Sequence, residues 1–406
     1  MQPDDSFRKR QIVLALAGIG LAALLLAVIA LRIVTEHSDS NSYALIAQSF
    51  LTGQPWVDRC FDFDCAIRDG KSYVIFPPMP GVVAMPLVAA FGIHTIGFMA
   101  LGAAALAVTL LLWWRILGQL SLDRDQRIWL LAAIAFASPL FFVTFRADRV
   151  WFFAQVVAFP FVTLAIHEAL ARRLVTTGLA IAAAFLSRQM SIFYAPILLL
   201  LTFAPAEPLF RIDRPRLLGA LKLGLPIAAG LILYFGYNVW RFGSPLDTGY
   251  NDIAFPPGML KARVDQYGLW NKAYLVFNAF YLFLQGFHAD FADSQKIALS
   301  GLDNAGTGVL AASPWLLLAF FARMNRALWA CLALIAGISA VTLFYHSNGF
   351  SQFNAQRYVL DWLPAALLIV ASGIQRERSA VFKLLVLWGM ALNAAAVGVL
   401  VLTHTA

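Results

Sequence analysis

Charge is what this sequence holds least of: Asp, Glu, Lys and Arg make up 13% of its 406 residues, against 61% hydrophobic. A soluble domain carries roughly twice that share of charge to keep its surface hydrated, so the composition excludes one. Cysteine is almost absent, at three residues, and the six histidines show no His-x-x-x-His spacing, so they assemble no metal site. No glycine-rich phosphate loop, Ser-x-x-Lys motif or nucleophile elbow occurs, which weighs against a nucleotide-sugar donor. Low-complexity tracts, internal repeats and a linker to a soluble domain are missing as well.

What remains is hydrocarbon. Apolar runs of about 20 residues, enough to cross a bilayer core of roughly 30 Å, recur along the chain. They fall near 11–34, 95–117, 128–144, 150–170, 217–240, 308–321, 327–345, 358–374 and 384–402. The first follows Arg8-Lys9-Arg10, but its length and the lack of a small-residue cleavage site make it a retained helix rather than a signal peptide. The stretch 175–205 suits either one long tilted helix or two short ones meeting near Ser187-Arg188-Gln189. The fold class is an all-α polytopic membrane protein, a single transmembrane domain over 1–406.

Basic clusters set the orientation, because cytoplasmic loops retain Lys and Arg. They occur at Arg8–Arg10, Arg124 with Arg127, Arg172-Arg173, 211–222, Arg323 with Arg326, and 376–383. All fall on one side only if 175–205 crosses twice, which gives about eleven helices and a cytoplasmic N-terminus. The net charge of +8 then reflects membrane anchoring rather than nucleic-acid binding. Two long loops face the other side, 35–94 and 241–307, and hold most of the acidic residues.

In the first loop Tyr43, Ile46, Ala47, Phe50 and Leu51 recur at helical spacing, with Asn41, Ser42, Gln48 and Ser49 opposite. This predicts a short amphipathic helix at the membrane surface. A second juxtamembrane helix is expected at 81–91, with Pro80 at an early position and Phe91-Gly92 at its end. In the second loop Tyr274, Phe277, Tyr281 and Leu284 share a helical face, predicting another amphipathic segment. Cys60 and Cys65, five apart in an oxidising compartment, are expected to close a disulfide around Phe61-Asp62-Phe63-Asp64; Cys331 lies within a span and reads as packing.

Several of these segments carry a family resemblance. Asp39-Ser40-Asn41-Ser42-Tyr43-Ala44-Leu45-Ile46-Ala47-Gln48-Ser49, then Asp69-Gly70-Lys71, Tyr73 and Phe76-Pro77-Pro78-Met79-Pro80, resemble the first outer loop of bacterial GT-C membrane glycosyltransferases. Tyr237 to Pro245 with Gly249-Tyr250, Gly306-Thr307-Gly308 before Ser313-Pro314, and Gln356-Arg357-Tyr358-Val359-Leu360-Asp361 with Pro364 are similar to later segments of the same proteins. Their order and spacing carry the resemblance over most of the chain.

The resemblance implies a GT-C-like bundle in the superfamily of protein O-mannosyltransferases and lipid A aminoarabinose transferases. Such enzymes move a sugar, with inversion, from a polyprenyl-phosphate carrier to an acceptor hydroxyl on a glycan, lipid or protein. For this chain it implies the inner membrane of a bacterium, a periplasmic site and a role in the cell envelope. The family's acidic catalytic position falls on Asp39, whereas the glutamate that often follows it is Ser40 here.

The chemistry needs a carboxylate for the acceptor's proton and cations for the departing phosphate. Asp39 is the candidate base, with Glu36 the alternative. Arg146, Arg149, Arg188 and Arg357 lie beside or within hydrophobic spans, where a guanidinium needs a partner. Arg357 with Tyr358, helped by Arg188 or by Arg149 and Arg146, is expected at the donor phosphate; the bland reading makes these structural ion pairs, such as Arg357 with Asp361 or Arg149 with Asp148. His346, Gln352, Asn354, Tyr73 and Asp252 are candidate sugar or acceptor contacts. No cofactor is required, although a divalent ion near His37 and Asp39 is an option that some relatives use. A lipid-linked sugar flippase or transporter, or a non-catalytic sugar-lipid-binding subunit, is the competing class; matching broken halves expected of many transporters are not found.

Overall fold

The computed structural model describes residues 5–37, 41–202, 213–303, 305–348, 356–374 and 379–403. Its helices are, in order, α1 (Asp5–Val34), α2 (Ser42–Thr52), α3 (Met79–Phe91), α4 (Phe98–Gln119), α5 (Arg124–Phe136), α6 (Pro139–Phe145), α7 (Val150–Leu170), α8 (Leu174–Phe185), α9 (Ala195–Leu201), α10 (Arg214–Phe242), α11 (Met259–Tyr267), α12 (Leu275–Ala279), α13 (Val309–Ala312), α14 (Arg326–Leu343), α15 (Leu363–Gly373) and α16 (Ser379–Leu402). Two antiparallel hairpins are the only paired strands among the described residues. One joins β1 (Cys65–Arg68) to β2 (Lys71–Val74), the other β3 (Ala289–Phe291) to β4 (Leu299–Leu302). The protein is a helical, multi-pass membrane protein.

Among the described residues six helices are long and apolar enough to span a membrane: α1 from Lys9, α4, α7, α10, α14 and α16; the bent pair α5–α6 makes a seventh. The other runs read as spans are shorter. Residues 175–205 divide into α8, a 3-10 turn (Gln189–Tyr194) and α9, with the break at Leu186–Arg188. The run at 308–321 is α13 followed by a 3-10 helix (Pro314–Phe321), and the run at 358–374 is a 3-10 turn (Arg357–Asp361) followed by α15. Prolines 314 and 364 sit at the starts of these segments, where the missing N–H is harmless and continuation backward is not.

The α5–α6 bend of 50° shows how a break is tolerated at membrane depth. Ser138 caps α6 through Leu140 N–H, and Pro139 opens it. Phe141 N–H bonds Ser138 rather than Ala137, freeing the Ala137 carbonyl. That carbonyl accepts from Ser313 Oγ at 2.8 Å and from the Trp315 indole at 2.7 Å, so it is satisfied from a neighbouring segment. Close helix approach is bought elsewhere by small residues: a Cβ on Gly178 of α8 would stand 2.5 Å from the Leu223 carbonyl of α10.

α7 is the central helix, with Phe152, Phe153 and Phe159 fully buried. Around its first turns a second apolar cluster forms from α2, the β1–β2 hairpin, the start of α3 and Phe98. Here the expectation for α2 is corrected. Ser42 and Ser49, assigned to a solvent face, are buried along with Tyr43, Ala44, Leu45, Ile46 and Ala47. The reason is crowding by α3: a Cβ on Gly81 would lie 2.5 Å from Ile46 Cγ2. α2 is therefore a core helix rather than a two-faced surface helix, and only its end, with Leu51 and Thr52, is exposed.

The aromatic segment of the second loop is corrected in the same way. Its inward residues are Tyr274, Asn278 and Leu282, while Leu284 is exposed. Asn278 decides the rotation, donating from Nδ2 to the Leu343 and Tyr345 carbonyls at 2.7 and 2.9 Å and so closing the C-terminus of α14.

Candidate functional site

A cavity of about 520 Å³ opens where the first turns of α2 and α7, the break after α8, α10 and the two long loops meet the segments after α14 and before α15. Its wall is rich in aromatic side chains, including Tyr43, Trp151, Tyr234, Tyr250, Trp270 and Tyr345. Polar groups are few, which is the usual pattern of a small-molecule site.

Asp64 is the only carboxylate on the wall among the described residues. It immediately precedes β1 and is buried. A disulfide joins Cys60 to Cys65, with Cα atoms 6.4 Å apart, and closes the loop that carries it. Within the loop the Asp64 N–H donates to Asp62 Oδ1 at 2.9 Å, and Asp62 in turn accepts from the Ser42 hydroxyl at the start of α2. The Trp151 indole N–H donates to Asp64 Oδ2, and Phe63 packs on the same indole with ring centroids 6.0 Å apart. Burial, then the neighbouring Asp62, push the Asp64 carboxyl up to about 7; the Trp151 bond and Arg357 oppose this only in part.

Arg188 and Arg357 line the same cavity. The break between α8 and α9 projects Arg188, which donates to both oxygens of Asp361 at 3.0 and 2.6 Å. Asp361 is thus the partner of Arg188 and not of Arg357, as sequence spacing alone would suggest. Arg357 is 7% exposed and held through its backbone, its carbonyl accepting from Gln155 Nε2 of α7 at 2.7 Å. Both guanidiniums lie over the ring of Tyr358, at 5.6 and 5.1 Å from its centroid, and the Tyr358 hydroxyl bonds Ser347 at 2.7 Å. His346 completes this wall. Its Nδ1 faces the Leu269 carbonyl at 3.3 Å, which places the proton there and leaves Nε2 an acceptor. Burial lowers its pKa to about 4, so the ring is neutral at neutral pH.

The other expected residues lie elsewhere. Arg146 and Arg149 flank Asp148 in the turn between α6 and α7, at 3.9 and 3.6 Å, with Arg32 of α1 at 3.2 Å from the same carboxylate. None of the three lines the cavity. Glu36 accepts from the N–H groups of Phe98 and Met99 at 2.9 and 3.1 Å, a capping position on α4. Asp252 is bonded by Arg68 together with Asp247, tying the first hairpin to the second loop. Tyr73 pairs with Ala66 in the hairpin and packs on Phe242. Asp39, Gln352 and Asn354 lie outside the described residues. No cluster of three His, Cys, Asp or Glu suited to a metal occurs among the described residues.

Sequence reading missed Asp64, which passed as one acid in a short loop. Two signals pointed to it: the cysteine pair that brackets the loop, and Trp151 two residues beyond an arginine turn, an indole in need of an acceptor.

No protein-family model matches the chain, and no curated protein does. Among solved structures, the oligosaccharyltransferase of Archaeoglobus fulgidus in its apo form aligns with 95% of this chain and 56% of its own, at 15% identity and a TM-score of 0.48. The oligosaccharyltransferase AglB of Archaeoglobus fulgidus, in complex with an inhibitory peptide and a dolichol-phosphate, aligns with 96% of this chain and 51% of its own, at 16% identity and a TM-score of 0.37. The chain thus spans about half the length of these proteins. At this distance the likenesses assign it neither a fold family nor an activity.

Proposed function

We propose that the protein is a GT-C-like glycosyltransferase that takes a sugar from a polyprenyl-phosphate carrier and passes it to an acceptor hydroxyl with inversion. The observation that carries this is one cavity lined both by a buried carboxylate, Asp64, and by two arginines that lie over the ring of Tyr358. An aromatic wall suits a sugar ring, whose C–H faces pack on aromatic side chains. The guanidiniums suit a phosphate, with planar forks that donate to two oxygens at once. Arg188 keeps donors beyond the two that Asp361 engages, since a guanidinium carries five.

In this reading Arg357 and Arg188 stabilise the charge that grows on the phosphate oxygen as the anomeric bond breaks. His346 offers a neutral acceptor to a sugar hydroxyl, and Tyr358 fixes both guanidiniums. The donor's lipid tail stays in the bilayer, the acceptor approaches from the periplasmic side of a bacterial inner membrane, and the product belongs to the cell envelope.

The test is transfer by purified protein in detergent, offered a panel of polyprenyl-phosphate sugars with membrane extracts as acceptor source. Release of polyprenyl phosphate in step with sugar on an acceptor is the expected result. Saturable binding of every donor without release would instead favour a flippase or binding subunit.

A further inference from the structure

We propose that Asp64, carried on the loop closed by the Cys60–Cys65 disulfide, takes the acceptor's proton, and that this loop is the device that positions it. The proposal rests on the transferase reading above and names the base of the same site.

Elimination among the described carboxylates comes first. Glu36 is engaged by two N–H groups of α4, Asp361 by Arg188, and Asp247 with Asp252 by Arg68. Asp64 is the one carboxylate among the described residues that reaches the cavity, which it lines together with Arg188 and Arg357. An inverting displacement needs a base and a phosphate-holding cation in one cavity, because a single step deprotonates the acceptor and expels the phosphate.

The loop gives the group a fixed place. On its C-terminal side Cys65 is locked both by the disulfide and by pairing with Val74 in the hairpin. On its N-terminal side Asp62 anchors to Ser42, and the hairpin is fastened to the second loop by the Ala66 to Ile253 bridge and by Arg68. The Trp151 bond then orients the carboxylate, so reduction of one disulfide would loosen the element without touching either arginine. The charged and titratable groups facing Asp64 are Asp62 on its own loop, Arg357, and the phenols of Tyr250 and Tyr345. Their balance leaves a carboxyl of about 7, a proton acceptor matched to neutral pH.

The step balances without a co-reactant. The acceptor oxygen forms a bond to the anomeric carbon, its proton passes to a carboxylate oxygen of Asp64, and the anomeric carbon's bond to phosphate breaks with the electron pair leaving on polyprenyl phosphate. Asp64 then returns the proton to water.

The experiment uses the full chain in detergent and two readouts: binding of polyprenyl phosphate, followed by quenching of the cavity tryptophans, and single-turnover transfer between pH 5.5 and 8.5. Wild type should turn over faster as pH rises, with a midpoint near 7. Asp64→Asn should lose about 100-fold or more in transfer while binding stays within about twofold. The pair Cys60→Ser with Cys65→Ser should lose about tenfold in transfer with binding equally spared, an effect of misplacement. Trp151→Phe, which deletes a hydrogen bond to the carboxylate, should move the midpoint upward and tests the idea even where Asp64→Asn fails to fold. Transfer by Asp64→Asn within about threefold of wild type, or a midpoint that Trp151→Phe leaves in place, would overturn the proposal and leave the transferase reading intact. Wild type that neither binds nor transfers would remove both.

Discussion

Arg188 lies across Asp361 as a two-point fork, Nε to Oδ1 at 3.0 Å and Nη2 to Oδ2 at 2.6 Å, joining the break after α8 to the turn before α15. The Asp361 side chain is 3% exposed, so its half of the pair is shut off from water. Removing one partner strands the other's charge. Asp361→Asn should therefore cost about 3–5 kcal/mol, read as a lowered melting temperature in detergent. Replacing both, Arg188→Met with Asp361→Leu, should recover most of that stability but not donor binding.

Arg357 is the second phosphate candidate, and its backbone anchor to Gln155 is independent of its guanidinium. Arg357→Ala should weaken polyprenyl-phosphate binding by roughly 10- to 100-fold, the worth of a charge-assisted hydrogen bond. Arg357→Lys should restore only part of it, because an ammonium lacks the planar fork. Titration with polyprenyl phosphate measures both; equal affinity in all three proteins would exclude the role.

Glu36 sits at the N-terminus of α4 as a cap. Glu36→Gln keeps an oxygen for one of the Phe98 and Met99 N–H groups, sets its NH2 against the other and loses the charge that favours a helix N-terminus. A loss of about 1 kcal/mol is expected, visible as a small drop in melting temperature, with turnover per folded molecule close to wild type. A collapse of turnover with stability spared would return Glu36 to the chemistry.

Asp64 also ties stability to pH. Burial pushes its folded carboxyl up to about 7 from the ordinary 3.8, so it binds the proton more tightly folded than unfolded. Its contribution is fully present below about 4, declines as pH rises, and is gone above about 7. His346 has the opposite sign: its pKa falls from 6.5 to about 4, so its contribution is present above 6.5 and is lost as pH falls through 4. The two windows overlap below pH 6.5 and offset each other there. The difference between wild type and Asp64→Asn isolates the aspartate: wild type should lose more melting temperature between pH 5 and pH 8 than the variant.

The elements legible in the sequence were those whose cause is local. Pro80 and Gly92 bracket α3, and two cysteines five apart in the first long loop meet in a disulfide, whereas the bend at Ser138-Pro139 divides a run, 128–144, that reads as one continuous span. The break near Ser187-Arg188 was one of two readings left open, and the structure takes it. What was not legible depends on neighbours distant in the chain. α2 carries a two-faced pattern, yet Gly81 admits α3 so closely that the polar face is buried as well. Arg357 has an aspartate one turn away, yet that aspartate turns to Arg188, 173 positions back.

By itself the sequence determined that this chain lives in a bilayer, where its long helices fall and which few charges sit among them. Hydrocarbon length and the cost of an unsatisfied backbone act within single segments, so they can be read from composition. Only the tertiary structure decided which of those charges share a cavity. Asp64, Arg188 and Arg357 lie far apart in sequence, and a buried charge finds its partner by three-dimensional proximity, since desolvation leaves no state in which it stands alone.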